Sequence, residues 1–280
     1  RRSSTSLAIG DLTITFDNKS IRTIENGGHA ICTESPLFNF WRAPTDNDGI
    51  KGWSGQENKP LSSWRRDGLD QIDWQHNLAI FESSSRLFLK QKSQGVCNPG
   101  TIEVESIYEL LKNGLKVQHL FTIPQAFTDL PRIGVRWRLE PYFDNLSWYG
   151  LGPHETYPDR KCSGLLQVHN SNISAQYVPY ILPQEHGNLS EVRWLMVNNN
   201  ETSLKISSNG KLQASISHYS QEALTDAFHT YELTPSTYSW LCLDAAHRGV
   251  GGASCGPDAL EEYRIGPGRY ELNYDIEFGE

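Results

Sequence analysis

Tyr270-Glu271-Leu272-Asn273-Tyr274-Asp275-Ile276-Glu277-Phe278 puts an apolar or aromatic side chain at every second position and a polar one between. Side chains on an extended chain point alternately to opposite faces, so this is a strand with one buried and one wet face. The same period recurs upstream. Leu12, Ile14 and Phe16 alternate with Thr13 and Thr15 ahead of a turn at Asp17-Asn18-Lys19. Leu115, Val117, His119 and Phe121 alternate with Lys116, Gln118 and Thr122, and Val135, Trp137 and Leu139 with Arg136 and Arg138. Asn98-Pro99-Gly100, Asn113-Gly114, Asn209-Gly210 and Gly266-Pro267-Gly268 read as the turns between strands.

Helix signals are scarce. Ser220 to Phe228 is the best candidate, with Ser220 as cap, Gln221 and Glu222 in the first turn, and Leu224 and Phe228 on one face. Strands do not alternate with long helices, which excludes a (β/α)₈ barrel. No repeat or linker divides the chain, so residues 1–280 read as one all-β domain, a large antiparallel two-sheet sandwich. The 8 Trp, 12 Tyr and 10 Phe suit pleated, half-buried surfaces.

The net charge is −8, and basic residues adjoin only at Arg1-Arg2 and Arg65-Arg66, which argues against a nucleic-acid partner. No apolar run approaches the roughly 20 residues of a membrane span. The N-terminus has neither an apolar signal core nor an initiator Met, as an excised domain with sequence upstream would. Cys32, Cys97, Cys162, Cys242 and Cys255 are odd in number and widely spaced, which points to reduced thiols, a cytoplasmic setting and no zinc site. Asn172-Ile173-Ser174 reads as a chance triplet.

Two stretches carry the chemistry-bearing residues. One is Phe40-Trp41-Arg42-Ala43-Pro44-Thr45-Asp46-Asn47-Asp48-Gly49, and the other is Trp148-Tyr149-Gly150-Leu151-Gly152-Pro153-His154-Glu155-Thr156-Tyr157-Pro158-Asp159-Arg160. The triplet Asp46-Asn47-Asp48 lacks the further acidic ligands of a calcium loop, so its side chains are expected to shape a turn by bonding their own backbone. Arg42 is placed to brace it. Neighbours on an extended strand diverge, so His154 and Glu155 are poorly set to share a substrate. Arg42, Asp46, Asp48, His154, Glu155, Asp159 and Arg160 read as a structural polar network, and His186 with Glu185 is treated alike. His218, His229 and His247 lack the spacing of a metal triad.

Together with Tyr177 to Gly187, Ser217-His218-Tyr219-Ser220, Gly249 to Pro257 and Pro267-Gly268-Arg269-Tyr270, these stretches run in the order found in the C-terminal domain of family 2 glycoside hydrolases. The chain resembles that domain of the large β-galactosidases, which in some bacteria is a separate small chain. The resemblance implies the supersandwich of galactose mutarotases. It also implies a partner (β/α)₈ barrel that brings both catalytic glutamates and holds any magnesium or sodium, and a terminal β-galactoside as substrate. A retaining glycosidase needs two carboxyl groups roughly 5 Å apart. The pair Asn200-Glu201 stands in a polar turn and not on a barrel strand, so no catalytic residue is carried over, and the chain alone is expected to be silent.

By the same resemblance two loops form the wall of the sugar site. The first is Gly49-Ile50-Lys51-Gly52-Trp53-Ser54-Gly55, whose glycines suit a mobile lip, with Gly49, Gly52 and Trp53 as wall residues. The second contains Ser254, Cys255 and Gly256. Cys255 stands where many relatives have a sugar-stacking tryptophan; the ordinary reading is a small buried thiol. Trp53, Trp64 and Trp74 are candidates for an apolar docking patch. Two rivals stand beside this reading. A galactose mutarotase or aldose epimerase would need a His and a Glu converging in a pocket, and a carbohydrate-binding module would need an exposed aromatic platform.

Overall fold

The computed structural model describes residues 4–83, 86–141, 143–199, 201–252 and 256–279. Among these, sixteen strands pair antiparallel throughout. A small meander comprises β1 (Thr5–Ile9), β2 (Leu12–Phe16), β3 (Ile21–Asn26) and β4 (His29–Cys32). The short β5 (Leu37–Asn39) leads to α1 (Pro60–Asp67). A long meander follows, of β6 (Asp73–Ser83), β7 (Arg86–Val96), β8 (Thr101–Leu111) and β9 (Gly114–Ile123). The rest are β10 (Arg132–Leu139), β11 (Asn145–Gly152), β12 (Leu165–Asn172), β13 (Leu189–Asn198), β14 (Ser203–Ser217), α2 (Gln221–Asp226), β15 (Ser239–His247) and β16 (Gly268–Gly279).

These last strands and the long meander form one sheet that forks at β14. Over Ser203–Ser207 that strand pairs with β16, which continues through β9, β8 and β7 to β6. Over Gln213–Ser217 it pairs with β15, which continues to β10 and β5. The fork lies at Asn209-Gly210, read from sequence as a turn between strands. The chain there stays extended and exposed, because β14 is exchanging partners and not reversing. The two arms then face each other across the core. Trp137 of β10 donates Nε1–H to the Tyr274 hydroxyl of β16 (3.1 Å), and Phe38 of β5 packs edge-on against Phe121 of β9.

Strand β16 keeps the expected one-wet-face pattern over most of its length, since its outer face is open. β10 does not: it is buried on both faces except at Arg138, because it runs between β5 and β15 in the covered arm. That is why Arg132 and Arg136 are buried rather than wet. α2 begins as read, with Ser220 Oγ accepting from Ala223 N (3.1 Å). It ends at Asp226, so Phe228 lies beyond the helix and is exposed. α1 has no counterpart in the sequence reading. Pro60 starts it and Gly68, in left-handed conformation, stops it.

Candidate functional site

The loops singled out by sequence gather at one end of the sheet, around buried arginines. Arg42, fully buried, donates Nε–H to Asp48 Oδ2 (3.0 Å) and Nη2–H to Asp48 Oδ1 (2.7 Å). It also reaches the carbonyls of Arg248 (2.7 Å) and Gly249 (3.0 Å). Asp48 Oδ2 in turn accepts the Thr45 amide at 3.0 Å, which shapes the turn. Arg248 bonds Asp129 (2.9 Å) and Asp258 (2.7 Å). Both guanidinium groups lie over Trp64, 5.5 and 5.7 Å from its ring. Trp64 is therefore a buried wedge and not part of a docking patch, and Trp74 packs against Phe38 and Phe40.

Asn47 departs from the local turn expected of it. Its side chain spans to the other wall loop, donating to Val250 O (2.9 Å) and accepting from Gly256 N (2.8 Å). Lys59 Nζ bonds Gly256 O at 3.1 Å. The segments around Gly49 and Gly256 thus lie side by side. Ser254 and Cys255 lie outside the described residues. Asp46 contributes its amide, 3.3 Å from Gln184 Oε1.

His154 and Glu155 diverge after the cis Gly152-Pro153 bond. His154 is exposed and contacts Ser163 Oγ (2.8 Å), outside the network assigned to it from sequence. Glu155 accepts from Arg160 Nη2 (2.6 Å), the Tyr180 hydroxyl and the Gly187 amide (2.8 Å). Asp159 accepts the amides of Val250 (3.1 Å) and Gly251 (2.7 Å). A Cβ at Gly249 would sit 2.6 Å from Asp159 Oδ2, so the close approach requires glycine there.

Between these loops lies a cleft of about 460 Å³, lined among others by Asp46, Tyr157, Asp159, Arg160, Gln184 and Glu185. Beneath it Arg132, not singled out from sequence, pairs with both oxygens of Asp244 and stands 3.4 Å from Glu185. His247 Nε2 is 3.8 Å from Glu185 Oε1, and its ring centre is 5.3 Å from that of Tyr157. Burial, reinforced by Arg132 and Arg42, pushes His247 well below the ordinary histidine value, so the ring is neutral at pH 7. Burial pushes Glu185 up against the opposing pull of Arg132 and Arg42. A His and a Glu do converge, but as an enclosed pair whose histidine is held unprotonated, which is wrong for an acid that must protonate a sugar oxygen.

The loop at Gly49–Gly55 is anchored more firmly than its glycines suggested. Lys51, 4% exposed, donates to the carbonyls of Pro183 (2.7 Å), Leu224 (2.7 Å) and Ala227 (2.6 Å). Burial pulls its amine down to about 8, which leaves it protonated at neutral pH with three hydrogens to donate. Gly52 takes a left-handed φ, and a Cβ there would sit 3.0 Å from the Phe228 ring. Trp53 is 70% exposed, and Phe228 and Ile181 are also exposed on the segments Lys51 touches. Glu201 lies in the exposed β13–β14 turn with its amide on Asn199 (2.8 Å), and Asn200 is outside the described residues. Among the described residues Cys32, Cys97, Cys162 and Cys242 are free thiols. No three His, Cys, Asp or Glu side chains there gather as a metal site requires, and no helix is long and apolar enough to cross a membrane.

A family model described as the β-galactosidase small chain matches residues 9–277. The chain belongs to the β-galactosidase small-chain family. It is 29% identical over 263 residues to a β-galactosidase of Actinobacillus pleuropneumoniae, covering 91% of this chain and 24% of that protein. It is 32% identical over 248 residues to one of Lactococcus lactis, covering 85% and 24%. The small-chain domain thus spans about a quarter of the length of the curated relatives it matches. In fold it is similar to a galactose mutarotase-like protein of Lactobacillus casei (TM-score 0.50, 9% identity, 99% of this chain and 100% of that one). An Escherichia coli K12 protein aligns with TM-score 0.51 at 10% identity, over 99% of each chain. These likenesses establish a galactose mutarotase-like fold for this chain. The pairing of Arg132 with Asp244 beside His247, and the separate anchoring of Lys51, were missed in sequence. A lone acid in the apolar run Trp240 to Ala246 was the one signal available.

Proposed function

We propose that this chain is the part of a family 2 β-galactosidase that docks on a barrel-bearing large chain and completes its galactoside site, in the cytoplasm. It supplies wall and not catalysis. The glutamates of double displacement, and any magnesium or sodium, come from the partner. The observation that carries this reading is the pairing of the two wall segments: Asn47 and Lys59, which flank the loop carrying the exposed Trp53, bind Gly256. Trp53, Phe228 and Ile181, all exposed on segments that Lys51 ties together, offer apolar surface for a partner to cover.

The mutarotase rival has the likeness of fold and the convergence of Glu185 with His247 in its favour, and the neutral, enclosed histidine against it. The binding-module rival rests on Trp53 alone. Hydrolysis of a chromogenic β-galactoside separates the three. Activity only when the chain is mixed with a barrel-bearing large chain is expected. Activity of the isolated chain would refute the subunit reading, and acceleration of galactose anomer interconversion by the chain alone would favour the mutarotase.

A further inference from the structure

Lys51 is an uncommon kind of anchor. Its ammonium is buried, and its three hydrogens meet three neutral carbonyls and no carboxylate. Two of those carbonyls, Leu224 and Ala227, sit at the C-terminal end of α2, where helical carbonyls lack partners. The third, Pro183, belongs to the segment that carries exposed Ile181. The Phe228 ring lies 5.7 Å from the amine. An apolar side chain could fill the same space without desolvating a charge. What the ammonium adds is direction: three acceptors on two segments define one position for the loop.

The loop itself is a small stiff unit. Trp53 N bonds Ile50 O (3.2 Å), Ile50 N bonds Gln56 Oε1 (2.8 Å), and Gln56 Nε2 returns to Ile50 O (3.0 Å). With Lys51 pointing inward and Trp53 outward across the left-handed Gly52, a displacement of the amine carries the indole with it.

We propose that Lys51 is a positioning residue for the galactoside site, holding the 49–55 loop, and Trp53 with it, at a set place against α2 and the 181–183 segment. The proposal rests on the placement of Trp53 in the sugar-site wall argued above. Two measurements on Lys51→Met test it. In the isolated chain, amides of residues 50–56 should exchange with solvent about tenfold faster than in the native protein, with β16 amides unchanged. In the mixture with the large chain, KM for a chromogenic β-galactoside should rise more than kcat falls. Adding Trp53→Ala to Lys51→Met should then raise KM no further than Trp53→Ala alone. A purely structural role would lower the active fraction, and so kcat, without this coupling. Unchanged exchange at residues 50–56 overturns the anchor. Faster exchange with unchanged KM, or additive effects of the two substitutions, overturns its positioning role. An unaltered mixture that hydrolyses nothing overturns the subunit reading and the positioning role together, while the exchange data still decide the anchoring.

Discussion

Replacing Asp48 with alanine should be among the most damaging single changes in this chain. Asp48 is buried, accepts two hydrogen bonds from Arg42 and one from the Thr45 amide, and lies 3.8 Å from Arg248. The alanine leaves the Arg42 guanidinium fully buried with the carbonyls of Arg248 and Gly249 as its hydrogen-bond partners. Breaking a buried pair from one side costs about 3–5 kcal/mol, because an uncompensated charge stays inside. The two charge-assisted bonds at about 1.5–3 kcal/mol each point the same way, and release of the carboxylate's own desolvation penalty offsets part of them. We expect a loss of about 4 kcal/mol. Urea unfolding followed by near-UV circular dichroism would measure it, with Lys205→Ala as control. Lys205 and Glu277 form an exposed pair at 3.6 Å, and its loss should stay within about 1 kcal/mol. A loss below about 1 kcal/mol for Asp48→Ala would refute the view that Arg42 depends on this carboxylate.

Trp53→Ala should leave the stability of the isolated chain within about 0.5 kcal/mol, since the side chain is largely exposed, yet weaken hydrolysis in the mixture with the large chain; equal activity would remove Trp53 from the wall. Gly249→Ala should destabilise by about 1–3 kcal/mol, because its Cβ would collide with Asp159 and Tyr263; a neutral result in thermal unfolding would contradict the close approach. Asp17 is held at about 2: burial opposes this, but the Arg22 side chain and the Lys19 and Ser20 amides prevail. Its folded value lies below the ordinary 3.8, so its contribution is present above pH 3.8 and is lost as pH falls toward 2. Asp17→Asn should flatten that acid limb of the stability profile, and an unchanged limb would show that other groups produce it.

The all-β class was legible because strand period is a local property: β2, β9 and β16 each declare their buried face in their own residues. The Ser220 cap was equally local. The six ordered blocks carried the family for the same reason, since short-range turns and close glycine contacts demand particular residues in place. The fork of the sheet was not legible. Asn209-Gly210 has the composition of a turn, and only the competition between β15 and β16 for one strand keeps it extended. Nor could β10 reveal that both its faces are covered, because burial belongs to the neighbours and not to the strand.

The site divides along the same line. The sequence by itself brought out Arg42, Asp48, Glu155, Asp159 and Arg160 as a group, because they stand in two short motifs. Which of them touch is a different matter. Asn47 reaches 209 residues along the chain to Gly256, Arg132 reaches 112 to Asp244, and Lys51 finds Leu224 and Ala227 across 173 and 176. Partners so far apart leave no spacing to read, and a lysine in a glycine-rich loop looks like a solvated charge until the fold closes around it. Local periodicity determined the elements of this protein, whereas long-range pairing of buried charges decided how its loops are held.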